Sequence, residues 1–134
     1  MAADGPLALV FYKVTCPTCQ LAAPKLHGLE QAYPGHVQGV GQDPPEKLQA
    51  FADEYGFTVP VSSDAPPYEI SNAYGIETVP TTFVIDGRGS VADVVEAWDR
   101  EGLNRASKTL ADLLGVEPVP ISDPSDGLPA FKPG

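Results

Sequence analysis

Cys16 and Cys19 are the only two cysteines in 134 residues, and they stand as Cys16-Pro17-Thr18-Cys19. A pair at this spacing can close an internal disulfide and open it again, so the chemistry on offer is exchange between a dithiol and a disulfide. The apolar run Leu7-Ala8-Leu9-Val10-Phe11-Tyr12 precedes the pair, and apolar residues at helical spacing follow it. That pattern places the cysteines where a strand runs into a helix. Pro17 suits the first helical position, where a missing N–H removes nothing. Cys16 is then expected at the N-cap or just before it, with free N–H groups and the positive end of the helix dipole aimed at its sulfur. Such surroundings favour thiolate over thiol and can bring a cysteine pKa from about 8.5 into the range of roughly 3.5 to 7.5. Cys16 is therefore the expected nucleophile. Cys19, one turn further in and less exposed, is the expected resolving thiol. A cross-link over so short a loop stabilises little, which points to chemistry over scaffolding.

The elements that must position these sulfurs follow from periodicity and turn residues. Residues 6–13 read as a buried strand. A helix from 17 to about 33 puts Leu21, the stem of Lys25, Leu29 and Tyr33 near one stripe, with Ala22 and Leu26 beside it. Pro24 interrupts that helix, removing the bond to the Gln20 carbonyl and kinking it, at about 3 kcal/mol to be offset elsewhere. A second strand is expected at 37–40 and a helix at 47–55, with Leu48, Phe51, Ala52 and Tyr55 on one face. Residues 57–61 suggest a short edge strand broken by Pro60, 62–67 a turn-rich connector, and 68–74 a short helix. Residues 81–86 form a strand by their β-branched and aromatic content, Gly87-Arg88-Gly89 a turn, and 90–98 the antiparallel partner. The helix at 100–114 turns Leu103, Ala106, Leu110, Leu113 and Leu114 inward. Beyond Gly115, Pro118, Pro120, Pro124, Pro129 and Pro133 predict an extended tail without a regular element. The organisation expected is one domain over residues 1–115 and a Pro-rich tail over 116–134. Its fold class is α/β, a central mixed sheet of parallel strands ending in a C-terminal antiparallel hairpin, with helices on both faces. Trp98 and the five tyrosines read as packing residues.

Composition narrows the partners. The net charge is −10, and the eight Lys and Arg residues never cluster, which excludes a nucleic-acid partner and an anionic membrane surface. No run approaches the roughly 20 apolar residues of a membrane span. The opening Met1-Ala2-Ala3-Asp4-Gly5-Pro6 has neither the basic nor the apolar part of a secretory signal, so a reducing, cytoplasmic location is expected, with an excised secreted or periplasmic domain as the alternative that reads the same. A zinc site needs four ligands, and His27 and His36 fit no common spacing with the cysteines. Covalent haem attachment needs histidine after the second cysteine, where Gln20 stands. No metal and no cofactor is expected.

A C-x-x-C beside a strand-helix-strand pattern is itself a thioredoxin-like signal, and four stretches carry a fuller likeness. The first is Phe11-Tyr12-Lys13-Val14-Thr15-Cys16-Pro17-Thr18-Cys19, and the second is Pro24, eight residues after Cys16. The third is Tyr74-Gly75-Ile76-Glu77-Thr78-Val79-Pro80-Thr81-Thr82-Phe83-Val84-Ile85-Asp86, and the fourth is Val40-Gly41-Gln42-Asp43 with the helix after it. Over about residues 5–114 the chain resembles the thioredoxin superfamily, specifically the redoxin branch of TlpA-like and AhpC/TSA-related proteins. The resemblance implies a thiol-disulfide oxidoreductase acting in cell redox homeostasis, with Cys16 and Cys19 catalytic and Val79-Pro80 a cis-proline loop. It implies substrate contacts from Thr15, Pro17, Thr18, Val79 and Pro80, with an extended cysteine-bearing segment pairing to the Val79 backbone. The implied partners are protein or small-molecule disulfides and an upstream thiol reductant, met by a monomer.

Two positions depart from that pattern. Thr15 stands where thioredoxins usually carry tryptophan, which leaves substrate specificity open. Val10 stands where many bury an aspartate that takes the Cys19 proton, so water or an acid at the rim must do so, and Glu77 is the candidate. Lys13 stands close before the nucleophile, where its charge could favour the thiolate. Two alternative functions accompany the exchange reading. A thiol peroxidase of this kind would carry Pro-x-x-x-Thr-x-x-Cys, but the Pro and Thr positions hold Leu9 and Lys13. A non-catalytic binding module would keep the groove at Pro80 only to hold a partner.

Overall fold

A computed structural model describes residues 5–134. Residues 1–4, with them most of the segment bearing on a secretory signal and the first residues of the 1–115 domain, lie outside the described residues. Four strands and the first helices arise in the expected order: β1 (Leu7–Tyr12), α1 (Pro17–Ala32), β2 (Val37–Gly41), α2 (Pro45–Tyr55), β3 (Val61–Ser63), α3 (Glu69–Ala73), β4 (Thr81–Ile85). They are followed by β5 (Val91–Glu96), β6 (Trp98–Asp99), α4 (Arg100–Leu114), a single 3-10 turn at Pro124–Asp126 and β7 (Phe131–Lys132).

The main sheet has the order β3-β2-β1-β4-β5. β1 pairs in parallel with β2 and β2 with β3, while β4 is antiparallel to both β1 and β5. As the middle strand, β1 is buried on both faces, which explains why its sequence is apolar without alternation. On one face Ala8, Val10 and Tyr12 meet Ala22, Leu26 and Leu29 of α1 and Leu103, Ala106 and Leu110 of α4, with Leu48 and Phe51 of α2 further along. On the other face Leu9, Phe11 and Val40 meet Ile70 of α3 together with Ile76 and Phe83. Helices therefore lie on both faces of a mixed sheet. Fully buried Leu29 and Leu110 each contribute on the order of 1.5–3 kcal/mol by leaving water.

Several boundaries depart from the sequence reading. The buried stripe of α1 runs through Ala22, Leu26, Leu29 and Tyr33, whereas Leu21 is only partly covered. Lys25 directs its ammonium to Asp126, 3.2 Å away. The third strand is 61–63, not 57–61. Phe57 is instead a core anchor, edge-on to the Tyr12 ring at 5.1 Å between centroids, and Pro60 cannot donate to a ladder. The strand expected over 90–98 ends at Glu96, because Ala97 takes a positive φ of 63° and turns Trp98 out of the sheet.

The largest difference is the tail. Far from merely extending, residues 116–134 are fastened to the body. Val119 N–H donates to the Tyr33 hydroxyl at 2.9 Å, and that hydroxyl lies 2.8 Å from Ser107 Oγ, which donates to the Val119 carbonyl at 2.6 Å. Asn104 accepts from the Ile121 and Ser122 amides and donates to the Ser122 carbonyl. Arg100 binds Ser122, Asp126 and the Leu128 carbonyl. Trp98 Nε1 donates to the Pro129 carbonyl at 2.6 Å, and β7 pairs antiparallel with β6. Proline removes backbone donors but leaves every carbonyl free, so the tail takes its bonds from side chains of the body.

The ring of bonds at Tyr33 generates a prediction. Tyr33→Phe keeps the packing and leaves the Val119 amide without its acceptor, which should cost about 1–3 kcal/mol. Urea unfolding should show a lower midpoint with an unchanged slope; an unchanged midpoint would mean that this junction contributes nothing.

A candidate dithiol site at the start of the first helix

β1 delivers the chain to a short turn, Lys13 to Thr15, and Cys16 is the N-cap of α1 with extended backbone (φ −81°, ψ 116°) and Pro17 just inside. The Cys16 sulfur accepts the Cys19 amide at 3.2 Å. Its thiol donates across to the Val79 carbonyl at 3.6 Å. Cys16 is half-buried and Cys19 is buried, both as free thiols. The helix start therefore presents one sulfur outward and keeps the second behind it, as the motif predicts.

The turn is bolted from two sides. Asp43 Oδ2 accepts the Val14 amide at 2.9 Å, and Gln20 Nε2 donates to the Val14 carbonyl at 2.9 Å. Register explains the first bond. Tyr12 stands opposite Gly41 in the parallel β1–β2 pair, so the residue two beyond Gly41 reaches the residue two beyond Tyr12. Gly41 itself is required by close approach, since a Cβ there would collide with the Leu48 side chain.

Asp43 is also the carboxylate whose charge reaches the buried thiol. Burial pushes the Cys19 thiol well above the ordinary cysteine range. The hydrogen bond with Cys16 and the negative charges of Cys16 and Asp43 push the same way, against a backbone bond at Lys13. The Tyr12 hydroxyl is raised too, first by burial and then by Asp43 and Cys19. It is buried with no hydrogen-bond partner among the described residues. Glu77, the acid suggested from sequence, is exposed in the loop before β4. Asp43 stands at the end of the neighbouring parallel strand, away from β1 and the rim, where the sequence suggests an acid. The signal available was an aspartate just past an apolar strand that must lie beside β1.

The remaining expected residues divide. Val79 contacts Cys16, and Pro80 is fully buried behind it; the Val79–Pro80 bond is cis, as is Pro66–Pro67. Thr81 Oγ1 donates to the Thr78 carbonyl at 2.7 Å and the Ala97 amide to the Pro80 carbonyl at 2.7 Å, which fixes the loop. Thr15 and Pro17 are exposed at the rim. Thr18, expected to face substrate, is instead buried under the tail, where it donates to the Pro133 carbonyl at 2.6 Å. Lys13 sits with its ammonium 5.7 Å from the centre of the Tyr68 ring. Among the described residues no group of three or more His, Cys, Asp or Glu is arranged to hold a metal ion. No helix there is long and apolar enough to cross a membrane.

The AhpC/TSA family model matches residues 2–94. The chain is 31% identical over 93 residues to thiol-disulfide oxidoreductase ResA of Geobacillus thermodenitrificans, covering 65% of this chain and 52% of that one. It is 33% identical over 90 residues to thiol:disulfide interchange protein HelX of Rhodobacter capsulatus, covering 66% and 51%. The chain thus spans about half the length of the curated relatives it matches. The structure of MTB DsbF in its mixed oxidized and reduced forms superposes with a TM-score of 0.67 at 27% identity, over 80% of this chain and 81% of that one.

The raised pKa values of Cys19 and Tyr12 carry a sign. Folding favours their neutral forms, so this stabilisation is complete below the unfolded values, about 8.5 for thiol and about 10 for phenol. It is lost as pH rises from there towards the folded values. The urea midpoint of the reduced protein should be flat from about pH 7 to 8 and fall above about pH 9, with a smaller fall in Cys19→Ser. Equal falls in the two proteins would remove Cys19 from the account.

Proposed function

The chain belongs to the AhpC/TSA family and has a thioredoxin-like fold, and from that premise we propose that it is a thiol-disulfide oxidoreductase working through Cys16 and Cys19. The observation that carries this reading is the placement of the Cys16 sulfur between the Cys19 amide at 3.2 Å and the Val79 carbonyl. The amide N–H and the positive end of the helix dipole both point at that sulfur. The carbonyl belongs to a backbone segment that an extended substrate can pair with.

The steps balance as two-electron exchange. The Cys16 thiolate attacks one sulfur of a substrate disulfide, forming a mixed disulfide and releasing one substrate thiolate, which takes a proton. Cys19 then gives up its proton and attacks the Cys16 sulfur. The internal Cys16–Cys19 disulfide forms and the second substrate thiolate leaves and is protonated. The substrate has gained two electrons and two protons, and a dithiol reductant returns the protein to its starting state by the same chemistry. Asp43 is the carboxylate whose charge opposes ionisation of Cys19, and Glu77 keeps only a rim position. Thr15, Pro17 and Val79 are assigned to substrate contact, with Pro80 as their backing.

The reading carries a location and a direction. In a cytoplasmic thiol pool the protein acts as a monomeric reductase of protein disulfides, drawing electrons from an upstream dithiol. Its reduction potential should then lie below about −200 mV. A peroxidase reading draws no support from the position expected to hold threonine, because Lys13 offers no hydroxyl and is seated on Tyr68. The position expected to hold proline is Leu9, inside the core.

With dithiothreitol as reductant, the protein should accelerate insulin precipitation, and Cys16→Ser should abolish the acceleration. Cys19→Ser should accumulate a mixed disulfide through Cys16, visible by mass spectrometry under non-reducing conditions. Absence of both acceleration and adduct would overturn the assignment, and rapid peroxide consumption with neither would transfer it to a peroxidase.

A further inference from the structure

The tail does more than cover the body: Pro133 and Gly134 lie against the site. Thr18, inside the C-x-x-C, donates to the Pro133 carbonyl at 2.6 Å. Gly134 lies so close to the cis-proline loop that a side chain there would collide with the Val79 carbonyl and the Thr78 hydroxyl. The Val79 carbonyl thus has the Cys16 thiol on one side and the tail on the other. This carbonyl is the acceptor that an incoming extended segment needs.

The path is fastened unevenly. Its root is firm: Arg100 holds Ser122, Asp126 and the Leu128 carbonyl, Lys25 joins Asp126, and Trp98 holds the Pro129 carbonyl. Hydrogen bonds from Ser122 and Leu128, then the Lys25 charge, hold the Asp126 carboxyl well below the usual range, so this root stays charged at neutral pH. Its tip is light. Beyond the Ala130 carbonyl, which accepts the Arg100 amide, come, among the described residues, only the two-residue β7 ladder and the Thr18 bond. Phe131 is 57% exposed and contributes no anchor in the core.

We propose that residues 131–134 form a displaceable strap which occupies the strand-pairing place beside Val79, and that this strap sets substrate choice. Small disulfides reach the half-buried Cys16 sulfur past it, whereas a polypeptide disulfide must lift it to pair with Val79. The inference rests on the exchange function proposed above for the site itself, and deepens it by naming the element that sorts substrates by size.

The test compares two probe sizes on the full chain and on a chain with residues 131–134 deleted. In a Cys19→Ser background, Cys16 is labelled with iodoacetamide and with a polymer-linked maleimide. The deletion should speed the polymer probe about tenfold, the change expected when a hydrogen bond and a short ladder need not be broken first. Iodoacetamide should stay within about twofold of the full chain on the same argument. With both cysteines present, reduction of insulin should rise by a similar factor while reduction of hydroxyethyl disulfide does not. Asp126→Asn, which loosens the root and leaves the site residues intact, should move both ratios the same way by a smaller factor, and it decides the matter if the deleted chain does not fold. An unchanged ratio of large to small probe, or an equal rise for both, overturns the strap. Failure of either chain to reduce any disulfide overturns the exchange function instead, and the labelling ratio still decides the strap.

Discussion

The site depends on one hydrogen bond, from the Cys19 amide to the Cys16 sulfur at 3.2 Å. A sulfur can accept that bond only from an N-cap position, because deeper in a helix the amide is already committed to a carbonyl. The cap must therefore fall on Cys16 itself, and much of the surrounding sequence enforces this. Pro17 starts the helix where it does. Asp43 and Gln20 pin Val14 by its amide and its carbonyl, so the end of β1 cannot slip relative to the helix start. Ala22, Leu26 and Leu29 then hold the helix axis against the middle strand.

The same burial that seats α1 makes the two sulfurs unequal. Cys19 faces the core one turn below the cap and is 1% exposed, so its thiol resists ionisation while Cys16 stands at the surface of the helix end. In exchange chemistry that inequality orders the events, since the outer sulfur meets substrate first and the inner one needs a reason to lose its proton. Asp43 makes that loss harder while it is charged. The group that holds the turn thus also weighs on the second step, and the Tyr12 hydroxyl, buried with no hydrogen-bond partner among the described residues, is raised by burial and then by the same charge.

How much of this could be read from the residues depended on how local the determinant is. The helix start was legible because Pro17 and the apolar spacing act within one turn, and the order of strands because β1 carries an unbroken apolar run while 81–86 and 90–98 flank an obvious turn. Asp43 was not legible as a partner of the cysteines: its role comes from parallel register, which couples residues 29 apart in sequence. The third strand was shifted because Phe57 and Val59 look like strand residues but serve the core as a loop. The tail differs from its expectation for a related reason. Proline content constrains the backbone's own conformation and says nothing of which donors elsewhere will use its carbonyls.

Those donors cluster where the sheet gives way. At Ala97 the positive φ takes the chain out of β5, and Trp98, Arg100, Asn104 and Ser107 then all present hydrogen-bonding groups on the side left open at the start of α4. A segment with regular structure would have spent its carbonyls on itself, whereas one rich in proline arrives with them free. Because α4 packs beside α1 over the same sheet face, a tail that follows these donors is led across Lys25 to the first turn of α1, and so to Thr18. The route of residues 116–134 to the dithiol is in this sense a consequence of where the sheet ends.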